Sequence, residues 1–230
     1  MNLMIPRDDP IPTLLKFMVE WVPGLSPSHR IEPSLIPKFV PGPLRAIYEV
    51  TGNWPVPYTE QWRAPNWKCG LFGRQDKLLP IDQLEPKDGR FTFLHENQYV
   101  WTCDTLIDSD DPPVYSNSMA DESGPEEMQE VCGSLSHFLT TYCLQELAFG
   151  SKHLFCVDSE PSGPEEVVKG DLEPLWEKGV YVRKEPSHSF YVCNERLIVM
   201  SAWGDYWIAY NDSECTELIN DSEHEIRRIH

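Results

Sequence analysis

No run of apolar residues in this sequence approaches the roughly 18 that a membrane-spanning helix needs. The opening stretch MNLMIPRDDPIP also lacks a basic segment leading into an apolar one, so a secretory leader is not expected. Positive charge is scarce: 19 Lys and Arg stand against 37 Asp and Glu, a formal charge of −18. A surface of that sign repels phosphate backbones and anionic lipid, which excludes nucleic acid and membrane as expected partners and leaves a basic protein as the natural complement. The same acidity also serves solubility alone. The seven cysteines are an odd number without a C-x-x-C pair. That pattern fits isolated thiols in a reducing cytoplasm better than a disulfide framework or a zinc knuckle. What is present suffices for a core, since 40% of residues are hydrophobic, 11% aromatic, and eight are Trp.

Catalytic signatures are missing in the same way. His95-Glu96 opens like a zinc-protease helix, but Tyr99 stands where the second histidine ligand belongs. Cys103-Asp104-Thr105 runs into Leu106 where an aspartic-protease turn needs glycine. Gly133-Ser134-Leu135-Ser136 lacks the second glycine of a nucleophile elbow, and Ser134 reads instead as a helix N-cap. Phosphate-cradling loops are excluded because no Gly-x-Gly core occurs. His137 with Cys143 is the remaining thiol-enzyme arrangement, but a helical cysteine on an apolar face is ordinarily a packed side chain. No metal, no cofactor and no enzymatic activity are expected, an unrecognised hydrolase being the weakest of the readings kept open.

The patterning predicts an amphipathic helix over 10–22 from Leu14, Leu15, Met18, Trp21 and Val22, and a second over the segment PGPLRAIYEVTG from Leu44, Ile47 and Tyr48. Pro43 suits the first turn of the second helix and Gly52 its stop. Asp88-Gly89 signals a turn into strands at 91–95 and 98–103, which the Glu96-Asn97-Gln98 triplet would connect. Residues 116–130 and 157–173 read as acidic loops. Between them SLSHFLTTYCLQELAF predicts a buried helix that Gly150 ends in a left-handed cap. Short strand-like runs at about 180–184, 189–193, 196–202 and 206–210 predict an antiparallel meander, because their brief connections cannot carry parallel crossovers. Tyr206, Ile208 and Tyr210 share one of its faces and Trp207 and Ala209 the other, so at least one face must be covered.

These elements make an α+β protein, an antiparallel or mixed sheet flanked by helices with the meander at 179–210. Recognition is the function left standing. Asn97 and Gln98 have amides suited to tying a turn to neighbouring backbone. Glu96, Asp108, Asp110 and Asp111, with Asp121, Glu122, Glu126 and Glu127 in the first acidic loop, are candidates for an exposed negative rim that meets a partner.

Taken in order, IPKFVPGPLRAIYEVTG, GRQDKLLPIDQL, DGRFTFLHENQYVWTCDT, DDPPVY and SLSHFLTTYCL resemble the SUKH superfamily, the Smi/Knr-type proteins, above all bacterial members with an E-N-Q stretch followed by D-P-P-V. The resemblance is densest from about 36 to 150, with the helix at 10–22 and the meander as looser extensions of one domain over 1–230. Membership implies an α+β fold and binding rather than catalysis. Many bacterial members are immunity proteins that neutralise polymorphic or contact-dependent toxins, often nucleases, in the cytoplasm. Fungal members are regulatory scaffolds in cell-wall signalling, and a scaffold without a toxin partner is the alternative. A nuclease must attract phosphate, so a chain of charge −18 presents the complementary field.

Overall fold

The computed structural model describes residues 4–53, 74–118, 127–157, 162–220 and 226–229. The Trp-rich connector that includes Trp54, Trp62 and Trp67 lies outside them, as do Cys69, Asp121, Glu122 and Glu126. Helix α1 spans Pro10–Trp21 and α2 spans Gly42–Thr51, each with proline in its first turn, where the missing N–H costs nothing. Gly52 follows α2 for packing rather than for backbone freedom: a Cβ there would stand 2.3 Å from Ile31 Cδ1.

Five short strands then form an antiparallel sheet in chain order: β1 (Asp76–Leu78), β2 (Arg90–Glu96), β3 (Thr102–Leu106), β4 (Val114–Ser116) and β5 (Gln129–Cys132). Asp88 and Gly89 both adopt positive φ in the turn before β2, as a tight hairpin connection with right-handed strand twist requires. Helix α3 (Leu135–Gly150) follows, and Ser134 caps it by accepting from the His137 amide at 3.2 Å. A second, six-stranded sheet has the order β11-β6-β10-β9-β8-β7 and is antiparallel throughout. Its strands are β6 (His153–Val157), β7 (Leu172–Val180), β8 (Pro186–Cys193), β9 (Leu197–Ala202), β10 (Asp205–Tyr210) and β11 (Ile226–Arg228).

Because α3 is apolar nearly all round, it needs neighbours on every side, and it finds both sheets and both other helices. Phe138 meets Phe93 of β2 edge-on at 5.8 Å, Phe149 meets Trp207 of β10 at 5.2 Å, and Thr141 Oγ1 accepts from Trp176 Nε1 of β7 at 3.0 Å. Side chains of this size contribute about 1.5–3 kcal/mol each on full burial, so α3 is the main source of cohesion between the sheets. One continuous core runs from Ile5 to Ala209 through both sheets, so the C-terminal meander is part of the main interior. Its far face is covered as well: Ile208 and Tyr210 join a second cluster with Val167, Val168 and Cys215, while Ala209 faces the first core.

A strap seals the free edge of β7. Ile5 N donates to Leu175 O at 2.9 Å, and the Arg7 guanidinium donates to the Glu177 carbonyl and lies 4.9 Å over the Trp176 ring. His137 Nε2 donates to Arg7 O at 2.7 Å, tying the strap to α3.

Several boundaries differ from expectation. The strand after the triplet begins at Thr102, not at 98, and the connection is 97–101. Gly150 is the last helical residue and is not left-handed; the extended Ser151 ends the helix, its Oγ donating to Leu147 O at 2.8 Å. Both stretches read as acidic loops contain structure, β5 starting at Gln129 and β7 at Leu172.

Cys103, Cys132, Cys143, Cys156, Cys193 and Cys215 are free and buried. Burial pushes the Cys103, Cys132, Cys143, Cys193 and Cys215 thiols above their usual range, so little thiolate forms at neutral pH. Titration with an aromatic disulfide reagent is expected to gain these six thiols only when denaturant is added. A reaction of more than one of them in the folded protein would contradict the burial. Among the described residues no helix is long and apolar enough to cross a membrane.

Candidate recognition surface and the acid cluster beneath it

The β3–β4 loop carries three aspartates that the fold treats differently. Asp111 turns back to the start of α3, where Oδ1 accepts from Ser136 N at 2.7 Å and Oδ2 accepts from Ser134 Oγ at 2.7 Å and Ser136 Oγ at 2.9 Å. A carboxylate there satisfies amides that a helix start leaves open and complements its dipole. On the other flank Thr105 Oγ1 donates to Pro113 O at 3.0 Å, so the loop is fastened at both ends. Asp108 and Asp110, held between these ties, are exposed and line an open depression of about 480 Å³ with Ser109 and the segment Lys38–Gly42. Glu127 is also exposed, apart from this loop.

In the triplet it is Glu96, expected on the rim, that ties the turn. Its carboxylate accepts from Gln98 N and from Val100 N at 3.2 Å, while its backbone O accepts from Tyr99 N at 3.0 Å. Asn97 and Gln98 are exposed, so burial, the condition for an amide tie, is not met. Lys77 Nζ donates to Asn97 O at 3.0 Å and lies 4.9 Å over the Tyr99 ring. Held in this way, Tyr99 takes a positive φ of 62° and stands 50% exposed beside Val100 at 69%. A bulky residue in the left-handed region is strained and persists only because its surroundings fix it.

Between hairpin tip and rim, the outer face of the five-stranded sheet forms a groove of about 740 Å³ lined by Leu79, Glu85, Arg90, Thr92, His95, Asp104 and Met128 among others. Thr92 Oγ1 donates to Asp104 at 2.7 Å, and Arg90 stacks 4.0 Å over Tyr115. Burial holds His95 below its usual pKa, against the opposing pull of Asp104. No nucleophile is hydrogen-bonded to His95 among the described residues. His137 and Cys143 are not joined either: His137 is spent on Arg7, and Cys143 is sealed in the core. Among the described residues no three His, Cys, Asp or Glu side chains gather as a metal site.

Beneath the tip lies a cluster that sequence reasoning missed. Glu146 of α3, fully buried, accepts from three successive amides: Arg74 N at 2.9 Å, Gln75 N at 3.2 Å and Asp76 N at 3.0 Å. Asp76, 2% exposed, accepts through Oδ2 from Tyr181 OH at 2.5 Å and from Gln145 Nε2 at 3.2 Å. Burial pushes Asp76 up to about 6, against the hydrogen bonds from Tyr181 and Gln145. Tyr181 meets Trp101 at 6.1 Å and His188 at 5.5 Å, both edge-on. His188 itself is held down to about 4 by burial and stays neutral. The available signal was Gln145-Glu146 within a helix read as buried, where polar side chains must find partners.

A scan against protein-family models and searches of characterised proteins and of solved structures find no match to the chain.

Proposed function

We propose that this chain is a non-catalytic protein-binding module whose negative rim meets a basic partner. The observation that carries the reading is the β3–β4 loop, in which Asp111 is committed to α3 while Asp108 and Asp110 face solvent from a fastened backbone. Charges presented on a rigid loop act on a partner without first having to be ordered, and in a chain of charge −18 they add to a field that speeds encounter with a cation-rich surface. The resemblance to SUKH proteins extends the proposal: the partner is a toxin domain, a nuclease being the best electrostatic fit, and the chain acts as its cytoplasmic immunity protein.

The test begins with the gene beside this one. Co-expressed with the toxin domain encoded there, the wild-type chain is expected to restore growth and to co-purify with it. Asp108→Lys with Asp110→Lys is expected to slow association about ten-fold at low salt and to flatten its salt dependence, with the melting temperature unchanged. Absence of a neighbouring toxin gene would remove the immunity reading. Binding that ignores the charge reversal would remove the rim.

A further inference from the structure

Asp76 is the first residue of β1 and stands opposite Glu96 in the β1–β2 register. Three parts of the fold meet at its carboxylate: β1, α3 through Gln145, and the β7–β8 connection through Tyr181. Oδ2 takes both hydrogen bonds, while Asp76 Oδ1 and Gln145 Oε1 have no hydrogen-bond partner among the described residues. Among the described residues the site therefore holds two buried acceptors and lacks a donor. A proton on Oδ1 turns that oxygen into the missing donor.

The groups acting on Asp76 come from each neighbouring element. Tyr181 and Gln145 donate to it, Glu96 of β2 repels it, and the Asn97 N–H favours its ionised form without making a hydrogen bond to Oδ1. Glu146 and Tyr142 of α3 and Cys103 of β3 also stand around it, and no Lys, Arg or His of the described residues is hydrogen-bonded to its carboxylate. Tyr142 and Tyr181 are pushed up by burial and remain donors.

We propose that Asp76 is a proton-operated latch between the two sheets, closed when protonated and slackened when ionised, and that it acts on the hairpin tip through Glu96. The protonated form relieves the repulsion on the carboxylate that holds the Gln98 and Val100 amides. The ionised form places a charge in the interior with no counter-ion among the described residues and strains the junction at which tip, α3 and β7–β8 connection meet.

The direction follows from linkage. Asp76 has a folded pKa of about 6 against an ordinary 3.8, so the folded chain holds the proton more tightly than the unfolded one. Its contribution is fully present below the ordinary value and is lost as pH rises through about 6, with no further change above. A difference of about two pH units corresponds to roughly a hundred-fold in the opening equilibrium.

Carbon-13 NMR of the Asp76 carboxyl is expected to show a midpoint near 6. Amide protection of Gln75, Asp76, Gln98 and Val100, corrected for intrinsic exchange, is expected to fall about ten-fold from pH 5 to pH 7. In Asp76→Asn, which carries a permanent donor, it should stay level. Should that variant fail to fold, Tyr181→Phe serves instead: losing a bond that favours the ionised form, it should move the midpoint upward. A midpoint below about 4.5, parallel losses of protection in wild type and Asp76→Asn, or a midpoint unmoved by Tyr181→Phe would each overturn the latch.

Discussion

Glu146→Ala is expected to cost about 3–5 kcal/mol of folding stability, because three backbone amides lose their acceptor at once. The side chain is fully buried and takes three successive amides that lead into β1. Alanine leaves one buried and two part-buried amides with nothing to donate to, and each stranded donor carries a desolvation penalty of about 1–3 kcal/mol less whatever water enters. Glu146→Gln keeps one acceptor oxygen and should lose less, about 1–3 kcal/mol. Urea unfolding followed by circular dichroism separates the two. An alanine variant within 1 kcal/mol of wild type would mean that the amides have other partners and that Glu146 is not what holds β1 to α3.

The second large effect is expected from one missing side chain. Gly179 of β7 lies where a Cβ would stand 2.6 Å from Thr141 Oγ1 and 2.9 Å from Trp176 Nε1, the two atoms of a buried hydrogen bond. Gly179→Ala must push this pair apart. Overpacking costs about 1–3 kcal/mol, and an indole donor left unpaired costs about 1–3 kcal/mol more. We expect a loss of about 2–6 kcal/mol in total from these two sources. Because the clash and the bond share Thr141, adding Thr141→Ala should cost less than the sum of the two single changes. Strict additivity in that cycle would show that the strain lies elsewhere.

How much of this was legible in the sequence depended on whether a residue's role is local. Leu14, Met18 and Trp21 announce α1 by spacing, and Ser134 announces the start of α3 by its chemistry; both are found where the pattern places them. The alternation in β10 likewise separates Ile208 and Tyr210 from Ala209, and the two faces enter different cores. Three-residue strands such as β1 and β4 carry no such signal, because their partners define them rather than their own composition. Acidic stretches misled for a related reason: Val167 and Val168 are buried inside one, yet charge nearby masks them.

The recognition surface divides along the same line. Asp108, Asp110 and Asp111 are alike in sequence, and only the position of α3 makes the third a helix cap. Glu96 rather than its amide neighbours ties the turn because a carboxylate can accept two turn amides at once, while the side chains of Asn97 and Gln98 are exposed. Asp76 and Tyr181 meet across 105 residues, beyond any local pattern.

The strap along β7 sets the order in which the chain can complete itself. Ile5 bonds to Leu175, and Arg7 reaches Trp176 and Glu177, so Ile5 and Arg7 wait for partners made some 170 positions later. During synthesis at roughly 5–20 residues per second that interval lasts about 10–30 s, during which the Ile5 side chain and the face of α3 destined for β7 have no cover. Contacts of such sequence separation form late and slow the final step. A ribosome stalled before β7 would therefore display an apolar helix with its seal unmade, the species a chaperone would hold until Leu175 emerges.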